Sequence, residues 1–300
     1  MATYRDIRDI DFERTVVTVG NFDGIHSGHR LLLQRVVDLA AQNRYRSVIL
    51  TFWPHPRHVL KPENEVPMLL NTLDEKLEML NECGVDDVVV FPFDMALSQM
   101  PASGFVREII IGKLKARFLV MGQDHHFGND RSGDVQHLPE FAAQSDLQVE
   151  VVDLKMLNRK ISSSVIRNAL LCGDLELANA MLGYEYMISG KVIEGQRIGR
   201  TIGFPTANIE TPEYKLLPKE GVYRVKVKTF DKTGMMYIGV KPGEKKALAE
   251  VNIFDFDRQI YGQEMTVALT HYIRENRQFE NVEQLAEQLE RDRQILNIRT

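Results

Sequence analysis

Residues 15–30 read TVVTVGNFDGIHSGHR, and the parsing of this stretch decides the architecture of the first half of the chain. Thr15–Val19 is a β-rich run that passes directly into Gly20, Asn21, Phe22, Asp23 and Gly24, and a helix starts near Ser27. Gly20 and Gly24 permit close backbone approach and unusual dihedrals. A strand, a glycine-bearing turn and a helix N-terminus together hold phosphates, because unpaired N–H groups and the helix dipole point at the anion. His26 and His29 are three apart, so both lie on one side of the first helical turn. Two imidazoles there can donate hydrogen bonds to a polyphosphate as negative charge moves onto a leaving pyrophosphate. Metal ligation or simple surface exposure is the alternative for such histidines; the strand, turn and glycines favour the phosphate role.

Outward from this stretch, β-rich runs recur at Ser47–Phe52, Asp87–Phe91, Phe118–Met121 and Gln148–Val152. Helical patterns separate them: Leu31–Ala41, with Leu32, Val36 and Leu39 at helical spacing, then Asp74–Cys83 and Ser103–Lys115. Strand and helix in alternation imply an α/β, Rossmann-like parallel sheet with helices on its faces. Two further helices are expected over Ser163–Leu171 and Asp174–Leu182. Beyond Gly183 the pattern changes to strands at Tyr186–Val192, Val222–Phe230, Met235–Val240, Ala247–Phe256 and Met265–Ile273, punctuated by glycine and proline turns. A helix-length segment returns only at Asn281–Leu296, so an all-β barrel closed by a C-terminal helix is expected. Seven of the eight histidines precede residue 140, which supports the same division.

Composition bounds the function. Thirty-seven basic against 42 acidic residues leave a net charge of -5, which argues against a general nucleic-acid binder. It says nothing against nucleotides, whose phosphates are held by a few local donors. Cys83 and Cys172 are the two cysteines, far apart and without metal-ligand spacing, so neither a disulfide framework nor a zinc site is expected. The opening MATYRDIRDIDFERT is charged and lacks an apolar core, and no run approaches the ~20 apolar residues of a membrane span. The expectation is a cytoplasmic protein with small-molecule partners and no membrane.

The Gly20–His29 segment resembles the HxGH signature of the nucleotidyltransferase superfamily, in the GNFDGxHxGH form of bacterial FAD synthetases. In that superfamily ATP and the attacking phosphate are held in line, with no covalent intermediate. Leu50–Pro56 (LTFWPHP) resembles the family's LTFxPHP, Met121–Asp134 (MGQDHHFGNDRSGD) its GxDFxFGxxRxGD, and Ile161–Arg167 (ISSSVIR) its ISSTxIR. The Phe91–Lys115 stretch fits the spacer between two of its strands. The resemblance implies catalytic roles for His26, His29 and Arg167, nucleotide contacts from Gly20, Asn21, Phe22, Asp23, Asp124, Gly128 and Arg131, and flavin contacts from His55 and Pro56. Ser162, Ser163 and Ser164 open a helix, where hydroxyls and free N–H groups converge as an anion site; capping by a single serine is the plainer alternative. Arg167, a turn later, can present its planar fork to a phosphate. The chain departs from the pattern at His125 and His126, which precede Phe127, and at Ser164, which keeps the hydroxyl of the usual threonine.

Ser189–Asn208 reads SGKVIEGQRIGRTIGFPTAN and resembles the riboflavin kinase signature GxVxxGxxxGRxxGFPTAN. Thr206 and Asn208 alternate with Ala207, so on an extended strand they share a face. Their oxygens are hard ligands suited to Mg²⁺ carrying ATP phosphates. Gly190, Gly195 and Gly199 let backbone lie near those phosphates. Pro218–Tyr223 (PKEGVY) and Ala249–Phe256 (AEVNIFDF) resemble two further strands of the family, and Glu250 falls at its catalytic base. Tyr261–Gly262, Arg274 and Phe279 match its YG and LRxExxF elements, with Arg274 and Phe279 implied at the flavin. In place of NIG-x-RPTF the chain has Met236–Gly243 (MYIGVKPG), with Tyr237 for asparagine, Lys241 for arginine and Gly243 for threonine. His271 and Asn276 also sit where the family differs.

The resemblance implies an FMN adenylyltransferase domain over 1–183 and a riboflavin kinase barrel over 184–300, with riboflavin, FMN and ATP as substrates and FAD as product. Two other readings stand beside it: an adenylyltransferase with a weakened or vestigial kinase half, and a regulator that only senses flavin or nucleotide. The His26/His29 pair and Glu250 argue against the regulator, since a sensor needs neither leaving-group donors nor a proton acceptor.

Overall fold

The computed structural model describes residues 1–62, 65–123, 145–153, 161–195, 199, 202–240 and 247–298. The chain forms two compact units, Met1–Met68 with Leu73–Ser162, and Leu69–Thr72 with Ser163–Thr300.

The first unit holds a parallel sheet of β1 (Ala2–Tyr4), β2 (Thr15–Val19), β3 (Arg46–Trp53), β4 (Asp87–Pro92), β5 (Ala116–Gly122) and β6 (Gln148–Val152), in the order β1-β4-β3-β2-β5-β6. Every residue of β2 is buried, as a central parallel strand covered on both faces requires. Helix α1 (Ser27–Asn43) packs on β2, β3 and β5 through Leu32, Leu33, Val36 and Leu39. The chain then forms α2 (Pro56–Leu60) and α3 (Leu73–Glu82), and beyond β4 the short α4 (Met95–Ser98) and α5 (Ala102–Phe105). Phe12, Val17, Leu50, Phe105, Ile110 and Leu119 belong to the core of this unit.

Two elements differ from expectation. The edge strand β1 lies in an N-terminal stretch that reads as charged and without an apolar core; it pairs with β4 from Ala2 opposite Asp87 to Tyr4 opposite Val89. The helix expected over Ser103–Lys115 begins as α5 and continues as a π-helix over Val106–Lys113, where the Leu114 amide donates to Ile109 five residues back, at 2.9 Å. Three consecutive isoleucines, Ile109 to Ile111, suit either winding, so periodicity alone carries no sign of the wider turn.

The second unit contains α6 (Ser163–Cys172), α7 (Leu175–Leu182) and a closed antiparallel barrel. The barrel strands are β7 (Met187–Ile193), β8 (Ala207–Glu210), β9 (Gly221–Val227), β10 (Lys232–Val240), β11 (Ala247–Ile253) and β12 (Glu264–Arg274), in the order β10-β11-β8-β7-β12-β9, and α8 (Val282–Ile298) follows. Helix α7 is tied to the barrel by Asn179, which donates to the Leu269 carbonyl at 3.0 Å and accepts from the Tyr186 amide at 2.8 Å. Leu69–Thr72 joins this unit from far back in the sequence. Leu69 bridges Lys215 in parallel, its amide donating to Tyr214 at 2.6 Å and its carbonyl accepting from Leu216 at 2.8 Å. Lys215 is buried, and its ammonium donates to the carbonyls of Leu70 and Met187, each at 2.7 Å, over the Tyr186 ring. In space, α6, α7 and Leu69–Thr72 group with the barrel.

Candidate active sites

In the first unit β2 lies between β3 and β5, where the strand order reverses direction, and ligands of open α/β sheets bind at the carboxyl ends of such strands. Gly20 to His29 occupy that end of β2. The turn is wound tightly: Phe22, Gly24 and Ile25 have φ of 47°, 88° and 34°. Left-handed dihedrals at a phenylalanine and an isoleucine are strained, and their burial at 2% and 0% exposure supplies the packing that holds them. At Gly20 space is tight: a Cβ would sit 3.1 Å from the folded-back Phe22 ring, which would have to shift slightly.

The turn delivers His26 to the N-cap of α1, where Nδ1 accepts from the His29 amide at 3.3 Å. The remaining proton of neutral His26 is thus on Nε2, directed away from the helix backbone. Burial pushes the His26 imidazole down to about 4, so it stays neutral near pH 7. The rings of His26 and His29 stack with centroids 3.7 Å apart, and Phe22 packs edge-on against His29. The expected pairing of these two imidazoles on one turn is what the structure shows.

At the carboxyl end of the neighbouring β3, His55 caps α2 with Nδ1 accepting from the Arg57 amide at 3.1 Å, and Pro56 is the first residue of that helix. Asp23 is buried within the turn. A further residue belongs here that sequence reading passed over. Lys76 of α3 is buried and donates to the Asn21 carbonyl at 2.7 Å, a carbonyl that Thr51 Oγ1 also approaches at 3.4 Å. Burial lowers its ammonium to about 8, against an opposing pull from Asp23. Lys76 therefore fixes the strained turn from behind. In an amphipathic helix a lysine reads as a solvated face, and only its contact with a loop over fifty residues away reveals it.

Ser162 ends the first unit; Ser163, Ser164 and Arg167 stand on the first turns of α6 in the second. There Arg167 Nη1 donates to Ser164 Oγ at 3.4 Å. Asp124, His125, His126, Gly128 and Arg131 lie outside the described residues, as do Lys241 and Gly243.

In the barrel, β10, β11 and β8 lie side by side, and Glu250 of β11 is directly opposite Tyr237 on one flank and Asn208 on the other. Glu250, Tyr237, Thr206, Gly199, Arg274 and Phe279 line one cavity of about 490 Å³. Its apolar surface comes from Phe204, Val222 and Met235 of a buried cluster and from Leu285 and Leu289 of α8. Thr206 also lines a second cavity of about 300 Å³, together with Arg258 and Tyr261. Arg258 there lies over the rings of Phe230 and Phe256, 5.4 and 5.0 Å from their centroids. Gly195 faces Asn208 so closely that a Cβ would fall 2.1 Å from Nδ2, while Gly190 lies within β7.

Arg274 is a flavin contact by expectation, and the structure gives its fork another partner. Its Nε and Nη2 donate to the buried Asp292 carboxylate at 3.0 and 2.6 Å, and Gln288 adds a bond at 2.8 Å. The pair fastens α8 to the barrel and so sets the cavity wall that Leu285 and Leu289 form. Asp292 was not legible as part of the site, since an aspartate in a charged terminal helix looks solvated.

A family model described as FAD synthetase matches residues 9–165, and one described as riboflavin kinase matches residues 182–298. A bifunctional riboflavin kinase/FMN adenylyltransferase of Bacillus subtilis is 35% identical over 94% of this chain and 91% of its own. The protein of the same name in Listeria monocytogenes is 38% identical over 93% of this chain and 90% of its own. A crystal structure from Streptococcus pneumoniae, described as a macrolide-efflux protein, superposes with a TM-score of 0.86, 30% identity and 98% coverage of both chains. That description concerns the streptococcal protein; among the described residues here no helix is long and apolar enough to cross a membrane.

Proposed function

The chain belongs to the bifunctional riboflavin kinase/FMN adenylyltransferase family, and from that premise we propose how its residues divide the work. It is a transferase of flavin cofactor biosynthesis, converting riboflavin and ATP to FMN and ADP, then FMN and ATP to FAD and pyrophosphate. We assign the second reaction to residues 1–183 and the first to 184–300. The enzyme works in the cytoplasm on small molecules, apart from nucleic acid and membrane.

In adenylyl transfer an FMN phosphate oxygen attacks the α-phosphorus of ATP, the bond to the bridging oxygen breaks, and pyrophosphate leaves with the electron pair. Neutral His26 donates from Nε2 to the phosphates, and His29, stacked on it, is the second donor. The turn Gly20–Asp23 and the amides of α1 face the triphosphate, with Lys76 holding the turn. Asp124, Gly128 and Arg131 fix the nucleotide, Ser162, Ser163, Ser164 and Arg167 supply a further phosphate contact, and His55 and Pro56 border the flavin.

In the kinase half the flavin enters the larger cavity and the nucleotide the smaller. The observation that carries this reading is that Thr206 lines both, so the two substrates meet beside Glu250. Glu250 takes the proton of the 5′-hydroxyl as that oxygen attacks the γ-phosphorus, and ADP leaves. Mg²⁺ fits Thr206 and Asn208, two hard oxygen donors beside the Gly195 approach; a magnesium ion needs only one or two protein ligands and neutralises phosphate charge when bound. Phe279 and the wall set by Arg274 border the ring system, with Gly190, Gly195 and Gly199 near the nucleotide.

Incubating the chain with riboflavin, ATP and Mg²⁺, with chromatographic separation of the flavins over time, tests the reading. FMN should rise first and FAD follow. Absence of FMN from riboflavin, with FAD still formed from added FMN, would remove the kinase assignment.

A further inference from the structure

Tyr237 is a departure from the family pattern, and its surroundings give it a specific role. It lies directly across the ladder from Glu250, so the two side chains share a face of the barrel wall with Cβ atoms about 5 Å apart. Both line the larger cavity. The Tyr237 ring packs on Phe204, Val222 and Met235, while its hydroxyl forms no hydrogen bond. Gly239, two residues on, makes room: a Cβ there would fall 2.6 Å from Tyr237 Oη and 2.4 Å from Asn276 Nδ2.

Asn276 completes the arrangement. Its Nδ2 donates to the Ile238 carbonyl at 3.2 Å and to Glu220 at 3.3 Å, which orients the amide. Its Oδ1 is shielded from solvent and has no partner. The Tyr237 hydroxyl, on the cavity wall and without a protein partner, is a place for a ligand group, whereas the shielded Asn276 oxygen only helps to hold the wall. A phenol both donates and accepts, as an alcohol does, so the two match. Burial and the nearby Glu220 and Glu250 carboxylates raise the Tyr237 phenol, so it keeps its proton.

We propose that Tyr237 binds a ribityl hydroxyl of riboflavin and thereby aligns the terminal hydroxyl on Glu250. The inference rests on reading this cavity as the flavin site. Position selects the polyol over the ring: Tyr237 is beside the residue that meets the 5′-oxygen, whereas Leu285 and Leu289 offer an apolar surface to the isoalloxazine.

Tyr237→Phe keeps the ring and removes only the hydroxyl. The full chain and this variant are titrated by flavin fluorescence with riboflavin and with lumiflavin, which has a methyl group in place of the ribityl chain. Riboflavin should bind about 3- to 10-fold more weakly to the variant, the scale of one hydrogen bond, and lumiflavin should bind both proteins alike. Unchanged riboflavin affinity, or equal weakening of the two ligands, overturns the proposal while the flavin site stands. Failure of the unmodified chain to bind either flavin overturns the cavity reading itself.

Discussion

The two candidate sites solve the handling of phosphate in different ways. In the α/β unit the chemistry lies on one continuous stretch, Gly20–His29, where a strained turn aims backbone amides and two stacked imidazoles at one place. In the barrel the groups arrive from separate strands: Thr206 just ahead of β8, Tyr237 on β10, Glu250 on β11, with a wall from α8. The first site draws its precision from backbone held by packing. The second draws it from register, since Glu250 is fixed opposite Asn208 and Tyr237 by ladder hydrogen bonds. Disturbance of the first should therefore come through the turn, and of the second through single side chains.

The largest expected effect is in the barrel. Glu250→Gln keeps shape but removes the base, so FMN formation should fall roughly 10²–10⁴-fold, with FAD formation from FMN unaltered. Equal loss of both activities in separate assays would show that the sites are not independent. Next comes His29→Ala, expected to slow FAD formation about 10²–10³-fold, the scale of one lost donor to a developing charge. Riboflavin phosphorylation should persist, and FAD formation within a few-fold of the unmodified chain would put the histidine outside the chemistry.

Lys76 probes the turn indirectly. Its ammonium, lowered by burial to about 8, loses its proton as pH rises past that value, and with it the charge that faces Asp23. FAD formation should then decline above about pH 8, while Lys76→Met should cost on the order of tenfold by loosening the turn. Lys76→Arg keeps its charge at those pH values, so its rate profile should lack the decline; a decline that persists in this variant assigns it elsewhere. The smallest effect concerns Lys215. In the full chain Lys215→Met breaks two buried bonds and should destabilise, by about 1–3 kcal/mol. In a fragment over 163–300, which lacks the Leu70 carbonyl, the same change should be neutral or stabilising. Urea unfolding of the four proteins gives the sign, and identical shifts in both backgrounds would discount Leu69–Thr72.

Much of the fold was legible because its signals are local. β2, its glycine turn and the start of α1 follow one another within sixteen residues, and each leaves its own pattern: β-rich, glycine-bearing, then helical. Five of the six barrel strands announced themselves between turn residues, although β9 stops at Val227 and yields to a short 3-10 turn over Lys228–Phe230; β8 stood outside those runs. Illegible were the contacts that join distant segments. Lys76, Lys215 and Asp292 are charged residues in stretches that read as solvent-facing, and each is buried by a partner that no local pattern names. Arg274 shows the converse: a motif marked the residue, and the structure gave its guanidinium to Asp292. The π-helix at Val106–Lys113 was hidden because residue type does not encode the choice between two helical windings there.

The Leu69–Thr72 segment has a bearing on how the chain is made. Leu70 leaves the ribosome 145 residues before the lysine that bonds its carbonyl. At about 5–20 residues per second, that is a wait of roughly 7–30 s. Throughout it Met1–Met68 and the residues after Thr72 can condense around β2, while the Leu69 and Leu70 groups that bond Tyr214, Leu216 and Lys215 wait for them. The bonds of Leu69 and Leu70 to residues 214–216 form only after the barrel segment has emerged, so the order of synthesis and the order of assembly differ at this segment. A pause in translation within the barrel would lengthen the exposure of that segment rather than of the barrel alone.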